Sequence, residues 1–314
     1  MKARAGFWAA SAAVLAAGFA FTGLADNPYY FNVAYVILQA LIMAVAWNIL
    51  GGFTGYVNFG SAGFFAVGAY TTIALQKSLD LPLPLMILAA ALVCGLIGLG
   101  VGYLTLRLKG VYFAIATLAM AIVLETLVNN WSFVGGAKGS YMLTPEQHLW
   151  FDSYSEMLFM IMLLLALGSI AISRALSSSR IGRGLAAIRD DEVAAECSGV
   201  PTLRLKLVST TVMGAMMGVA GAPYPYFVTY VDPASAFNLF IAVNAIAMPM
   251  IGGTSHWAGP VIGALLVGSA QEVITVTISS EIGVLLVGIM LVLFITLAPQ
   301  GIVGLARKHW RKRP

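Results

Sequence analysis

Charge is scarce in this sequence. Asp, Glu, Lys and Arg make up 10% of its 314 residues, where soluble domains carry about 25%. So few charged groups cannot solvate a globular surface, which excludes an ordinary water-soluble fold. Cysteine is scarcer still. Cys94 lies in an apolar run and Cys197 in a charged stretch, so no disulfide framework is indicated. The histidines His148, His256 and His309 are scattered, without the clustered spacing of a metal site. No GxxxxGK[ST] phosphate loop occurs, which excludes nucleotide binding by that device.

Apolar residues fill the space that charge leaves, at 60% of the chain and a mean hydropathy of +0.90. A spanning helix takes about 20 such residues. Ten candidate segments emerge: 7–25, 29–50, 57–76, 82–106, 110–130, 157–173, 207–231, 237–253, 257–278 and 282–299. The expected fold is all-α, a polytopic transmembrane bundle of about ten spans in a single domain over 1–314, surrounded by membrane lipid. The glycine-rich 57–76 and the short 237–253 are where a re-entrant or broken helix is expected. Gly23-Leu24-Ala25 resembles a signal-peptidase site, but the run before it exceeds the about 7–15 residues of a cleaved signal core. A retained first helix is expected.

The basic residues fix an orientation. With the N-terminus inside, Lys2, Arg4, Arg107, Lys109, Arg174, Arg180, Arg183, Arg189, Arg204, Lys206, Arg307, Lys308, Arg311, Lys312 and Arg313 all fall on the cytoplasmic side. Only Lys77 and Lys138 fall outside, as the positive-inside rule requires. The pI near 9.1 therefore reflects loop charges, and no nucleic-acid partner is expected. Two polar segments stand out, an outer loop at about 131–156 and an inner one at about 174–206.

Several polar residues fall within or beside apolar segments. Glu125 and Glu272 are carboxylates where a charge at mid-membrane costs about 2.5–3.5 kcal/mol. Each lies close enough to the outer end of its segment to reach the interface, so a role in a path competes with interfacial placement. Asn48, Asn58 and Asn244 either line a substrate path or bond neighbouring helices. Ser61 and His256 invite comparison with an intramembrane protease, but the topology gives them no reason to meet. Glycines recur at spacings of three or four, at Gly95, Gly98 and Gly102, at Gly214, Gly218 and Gly221, and at Gly259 and Gly263. Such rows permit close helix approach, although membrane helices also tolerate glycine for its own sake. A faint echo sets Gly52, Thr54, Gly63, Val67 and Gly68 against Gly252, Thr254, Gly263, Val267 and Gly268.

Within the inner segment, residues 184–198 favour one helix, which Gly199 and Pro201 stop. Leu185, Ile188, Ala195 and Val200 supply an apolar contact surface, and the small Ala194 and Ala195 permit close approach. From these residues alone, a partner-binding helix and a solvated charged tether remain equal readings.

The stretch Glu192-Val193-Ala194-Ala195 with Gly199 resembles the cytoplasmic coupling motif of ABC importer permeases. The pattern around Ala187-Ile188-Arg189-Asp190 resembles, more closely, the M-type permease of branched-chain amino-acid (Liv) transport systems. Asn48 through Tyr70, Leu108 to Ala119, Gly252 through Gly263, and Pro299, Gly301 and Gly304 are similar to further signatures of that family, so the resemblance covers most of the chain. Departures occur at Val134-Gly135-Gly136-Ala137-Lys138-Gly139, at Ser61 and at Gln300, and bear on the solute more than on mechanism.

The resemblance implies an ABC importer permease subunit in a bacterial inner membrane, with both termini cytoplasmic and no catalysis of its own. It implies a homologous second permease, two cytoplasmic ATPase subunits that use ATP and Mg, and a periplasmic substrate-binding protein. No cofactor is expected on this chain itself. Ala187, Arg189, Asp190, Glu192, Ala194, Ala195 and Gly199 would couple it to the ATPases. Branched-chain amino acids are the expected solutes. Urea, short amides and other small organic solutes are the alternative, and an ion-coupled secondary transporter using Glu125 and Glu272 is a rival class.

Overall fold

The structure is a computed structural model that describes residues 2–24, 27–143, 151, 153–298 and 301–305. His148, His309, Pro299, Gln300 and the basic run 307–313 lie outside the described residues, as do the side chains of Lys2 and Arg4.

Each of the ten apolar segments is built on helix. The first five are α1 (Lys2–Thr22), α2 (Pro28–Thr54), α3 (Ser61–Leu79), α4 (Leu83–Thr105) and α5 (Val111–Asn129). After a loop come α6 (Tyr154–Ser178), the short α7 (Arg180–Asp190) and α8 (Glu192–Cys197), then α9 (Thr202–Gly221) and α10 (Tyr224–Val228). The chain continues through α11 (Pro233–Ala236), α12 (Leu239–Gly252), α13 (Ala258–Thr277) and α14 (Ser280–Leu297). Among the described residues the sheet is confined to β1 (Ser140–Tyr141) paired antiparallel with β2 (Tyr230–Val231).

Among the described residues, seven helical stretches are long and apolar enough to cross a membrane. α3 has the length but is too polar, while α1 and α14 contribute shorter apolar stretches, Gly6–Thr22 and Ile282–Phe294. The expected count of ten is thus approximate.

The two weak segments differ from unbroken helices in definable ways. α3 starts only at Ser61, because Gly55 ends α2 in the left-handed conformation (φ 79°) and residues 55–60 run as a non-helical link. α12 has 14 residues and carries Pro249 in its last turn, where a missing N–H weakens the helix.

α2 is the axis of the bundle. Leu41 through Thr54 are all buried, as befits a helix that is apolar on every side. α4 and α9 pack on the glycine rows: a Cβ on Gly98 would lie 2.7 Å from the Thr210 carbonyl oxygen, and one on Gly214 2.7 Å from that of Cys94. At the end of α2, a Cβ on Gly52 would lie 2.8 Å from the Thr254 oxygen just beyond α12.

The molecule has two distinct ends. At one, Arg174 lies over the rings of Phe7 and Trp257, and Lys206 reaches the Leu106 carbonyl. At the other, the Tyr226 hydroxyl donates to Gln76 Oε1 at 2.8 Å, that of Tyr230 to the Lys138 carbonyl, and β1 meets β2. Each of these contacts joins segments that the charge pattern assigns to the same side.

Candidate functional site

The inner segment folds differently from a single 184–198 helix. Asp191 leaves the helical region (φ −162°, ψ 110°), dividing it into α7 and α8. Its carboxylate then accepts from the Val193 and Ala194 N–H groups at 2.9 and 3.1 Å, which starts α8 as an N-cap. Gly199 stops it with φ +80°, while the Val200 N–H donates to the Ala195 carbonyl. That bond pattern belongs to a glycine-terminated helix.

A helix of six residues is too short to hold itself in water, and α8 is held by one side chain above all. Glu192 Oε1 accepts from Lys206 Nζ at 2.6 Å, and Oε2 accepts from the Tyr56 hydroxyl at 2.6 Å. Lys109 Nζ stands 3.9 Å away. Lys206 also donates to the Leu106 carbonyl and lies 4.7 Å from the centre of the Tyr56 ring. Its side chain is 4% exposed and that of Glu192 14%, so this is a largely dehydrated pair.

Burial by itself would raise the Glu192 pKa. The hydrogen bonds from Lys206 and Tyr56, with the charges of Lys206 and Lys109, outweigh it and hold the carboxyl below its ordinary 4.5. Burial, then the Glu192 carboxylate, push the Tyr56 hydroxyl up, so it stays a donor. Through this clamp α8 is fastened to the α2–α3 link, the α4–α5 link and the foot of α9.

The seven residues expected at a coupling surface fall on different faces. Glu192 and Ala195 turn inward, Ala195 being 5% exposed and part of the core. Ala195 is therefore packed inward within this chain, where the sequence suggests a contact surface. Ala194, Asp190 and Arg189 are exposed, with Arg189 3.4 Å from Asp190, and Val193 is exposed beside them. Ala187 and Gly199 border a groove of about 470 Å³ whose walls include Arg180, Arg183, Pro201 and Leu205.

The path candidates do not converge. A second cavity, about 290 Å³, is bounded by α2, α10, α12 and α13, and Asn244 lines it. Asn48, Asn58, Glu125 and Glu272 do not. Asn48 is fully buried beside Gly52, without a hydrogen-bond partner. Asn58 organises the α2–α3 link: its carbonyl accepts from Trp47 Nε1 at 2.9 Å and its Oδ1 from the Gly60 N–H at 2.6 Å. Glu125 and Glu272 are half-buried on α5 and α13. Ser61 and His256 each bond locally, to the Asn58 carbonyl and the Ala258 N–H.

Sequence reasoning missed Lys206, Tyr56, Gln39 and Gln271. Lys206 registered only as a loop charge. Its signal was its place at the foot of an apolar span, where an ammonium needs a partner, but no periodicity connects positions 56, 192 and 206.

Residues 29–295 match the family model described as branched-chain amino acid transport system / permease component. The chain is 27% identical over 302 residues to the high-affinity branched-chain amino acid transport system permease protein LivM of Escherichia coli (strain K12), covering 88% of this chain and 70% of that protein. It is 26% identical over 276 residues to the probable branched-chain amino acid transport permease protein LivH of Methanocaldococcus jannaschii, covering 82% and 85%. It is 23% identical over 283 residues to the high-affinity permease protein LivH of Escherichia coli (strain K12), covering 84% and 90%. No solved structure matches it.

Proposed function

This chain belongs to the family of branched-chain amino acid transport permease components, and on that premise we propose that it forms, with a homologous permease, the path by which an ABC importer moves branched-chain amino acids inward. As a transport subunit it makes and breaks no covalent bond. Two ATPase subunits would bind and hydrolyse ATP with Mg on the cytoplasmic side, and a periplasmic binding protein would deliver solute at the other. The observation that carries this reading is α8, fastened inward by Glu192 while Val193 and Ala194 remain exposed. A short helix gripped by its own chain on one face and open on the other can pass a push from a partner into α2 and α9. Ala187, Arg189, Asp190, Ala194 and Gly199 belong to that surface in this reading, and Glu192 and Ala195 support it from within.

The test is co-purification. Tagged protein from its native membrane should bring down an ATPase subunit, and vesicles holding the whole complex should import leucine only with ATP inside. Uptake that collapses under an uncoupler at constant ATP would replace this reading by an ion-coupled one. Orientation is tested separately by single cysteines in intact cells. A reagent restricted to the outside should label position 138 and spare position 189, and outer labelling at 189 would overturn the cytoplasmic placement of the coupling segment.

Gly199→Val probes the outward face without touching the core. No atom lies near the position of an added Cβ, so the strain is in the backbone alone, at about 1–2 kcal/mol for a left-handed L-residue. Membrane abundance should stay normal while ATPase recovery falls several-fold, with Gly199→Asn milder. Equal recovery in all three proteins would show that the α8 terminus does not meet the ATPase.

A further inference from the structure

We infer that the cavity between α2, α10, α12 and α13 is a solute subsite contained within this one chain, fitted to a small zwitterion with an aliphatic tail; the inference rests on the transport reading above. Its volume of about 290 Å³ stands at the small end of ligand cavities, which run from about 300 to 1,000 Å³. That size suits a single amino acid and is small for a peptide.

The lining is divided. Met43, Phe227 and Ile241 are among its apolar wall residues, and the side-chain amides of Gln39, Asn244 and Gln271 come from three different helices. Among the described residues, no Asp, Glu, Lys or Arg borders it. A solute with net charge would find no counter-ion there and would lose its hydration uncompensated. A zwitterion has no net charge, and amide groups offer its two ends both donors and acceptors.

Asn244 gives the more pointed evidence. Its Nδ2 reaches Gln271 Oε1 at 3.4 Å, a long hydrogen bond, while its buried Oδ1 has no partner. A dehydrated, unpaired acceptor is unfavourable and calls for a donor, which an ammonium group supplies. The aliphatic tail would then lie against Met43 and Ile241. Position along the path also fits. Ser235 and Asn238 border the cavity next to β2, the strand paired with the outer-loop strand β1. α2 runs from its wall to the clamp at Tyr56, so motion of α8 has a direct route to the cavity.

The experiment follows alkylation of Ala40→Cys, a lining position on α2 that leaves Asn244 intact, in the full complex, with modification of that peptide read by mass spectrometry. Millimolar leucine should slow modification several-fold, and equal concentrations of glutamate or lysine should not. Alongside, Asn244→Leu should reduce maximal leucine uptake roughly tenfold, with ATPase recovery unchanged. Protection by leucine alone supports the subsite. Equal alkylation rates with all three amino acids, or wild-type uptake by Asn244→Leu, would overturn it. Failure of the wild-type complex to recover an ATPase or import leucine would instead overturn the transport reading, and leucine protection at position 40 would still judge the cavity.

Discussion

Lys206→Met should leave the protein in the membrane at near-normal abundance and reduce uptake about tenfold or more. The substitution removes the ammonium 2.6 Å from Glu192 while keeping the apolar stem. Breaking a buried ion pair from one side costs about 3–5 kcal/mol, because the remaining charge is dehydrated and unpaired. Here the Tyr56 hydroxyl and the mostly exposed Lys109 at 3.9 Å remain to Glu192, so the lower end of that range applies. The cost falls on α8, whose six residues cannot stay ordered alone, and not on the apolar surfaces that drive insertion.

A pH profile separates the clamp from general damage. In the wild type the Glu192 pKa lies below 4.5. Its stabilising contribution is present above the unfolded value and is lost as pH falls through the folded one, so the clamp should not shape uptake near neutrality. Without Lys206, burial acts with less opposition and the Glu192 pKa rises. Uptake by Lys206→Met should then recover partly as the cytoplasmic pH is lowered, since a protonated Glu192 tolerates its surroundings. Lys109→Met should change little, because an exposed ion pair contributes about 0–1 kcal/mol. Wild-type uptake by Lys206→Met would show that the clamp has no part in transport.

Gly68→Ala should act earlier, on folding, and lower membrane abundance several-fold. Where α3 crosses α9, a Cβ on Gly68 would lie 2.3 Å from the Gly218 carbonyl oxygen and 2.7 Å from its Cα. These are backbone atoms of another helix, so no side chain can rotate away, and relief requires the helices to separate. Separation forfeits the van der Waals contact that holds membrane helices together. Gly100→Ala in α4 is the matched control. Nothing lies within 4 Å of its added Cβ, and alanine improves helix propensity by about 1 kcal/mol. Quantitative blotting of membrane fractions should show the first variant depleted and the second at or above wild type. Equal abundance would mean that the α3–α9 crossing is looser than its geometry indicates.

The family signatures acquire physical reasons in the structure. Asn48 through Tyr70 carries the end of α2, the non-helical link and the start of α3. Its Asn58 accepts from Trp47, and the Phe59 N–H within it donates to Thr117 Oγ1 at 3.1 Å. Two of the signature stretches therefore meet in space, since Thr117 belongs to the one at Leu108 to Ala119. The motif at Glu192 to Gly199 likewise combines an inward anchor, a buried alanine, an exposed alanine and a left-handed stop. A linear reading treated them as one outward surface.

The sequence by itself determined the membrane class, the ten apolar segments, the long polar loops and the helical stop at Gly199. These depend on composition and short-range order, where length, hydropathy and backbone freedom are properties of contiguous residues. Only the tertiary structure decided that Glu192 faces inward, that Lys206 and Tyr56 are its partners, and that Asn244 joins a cavity while Asn48 and Asn58 do not. Those outcomes depend on how helices rotate and cross. Positions 56, 192 and 206 meet because packing brings the α2–α3 link, α8 and the foot of α9 to one end of the bundle, and nothing in their spacing along the chain expresses that meeting.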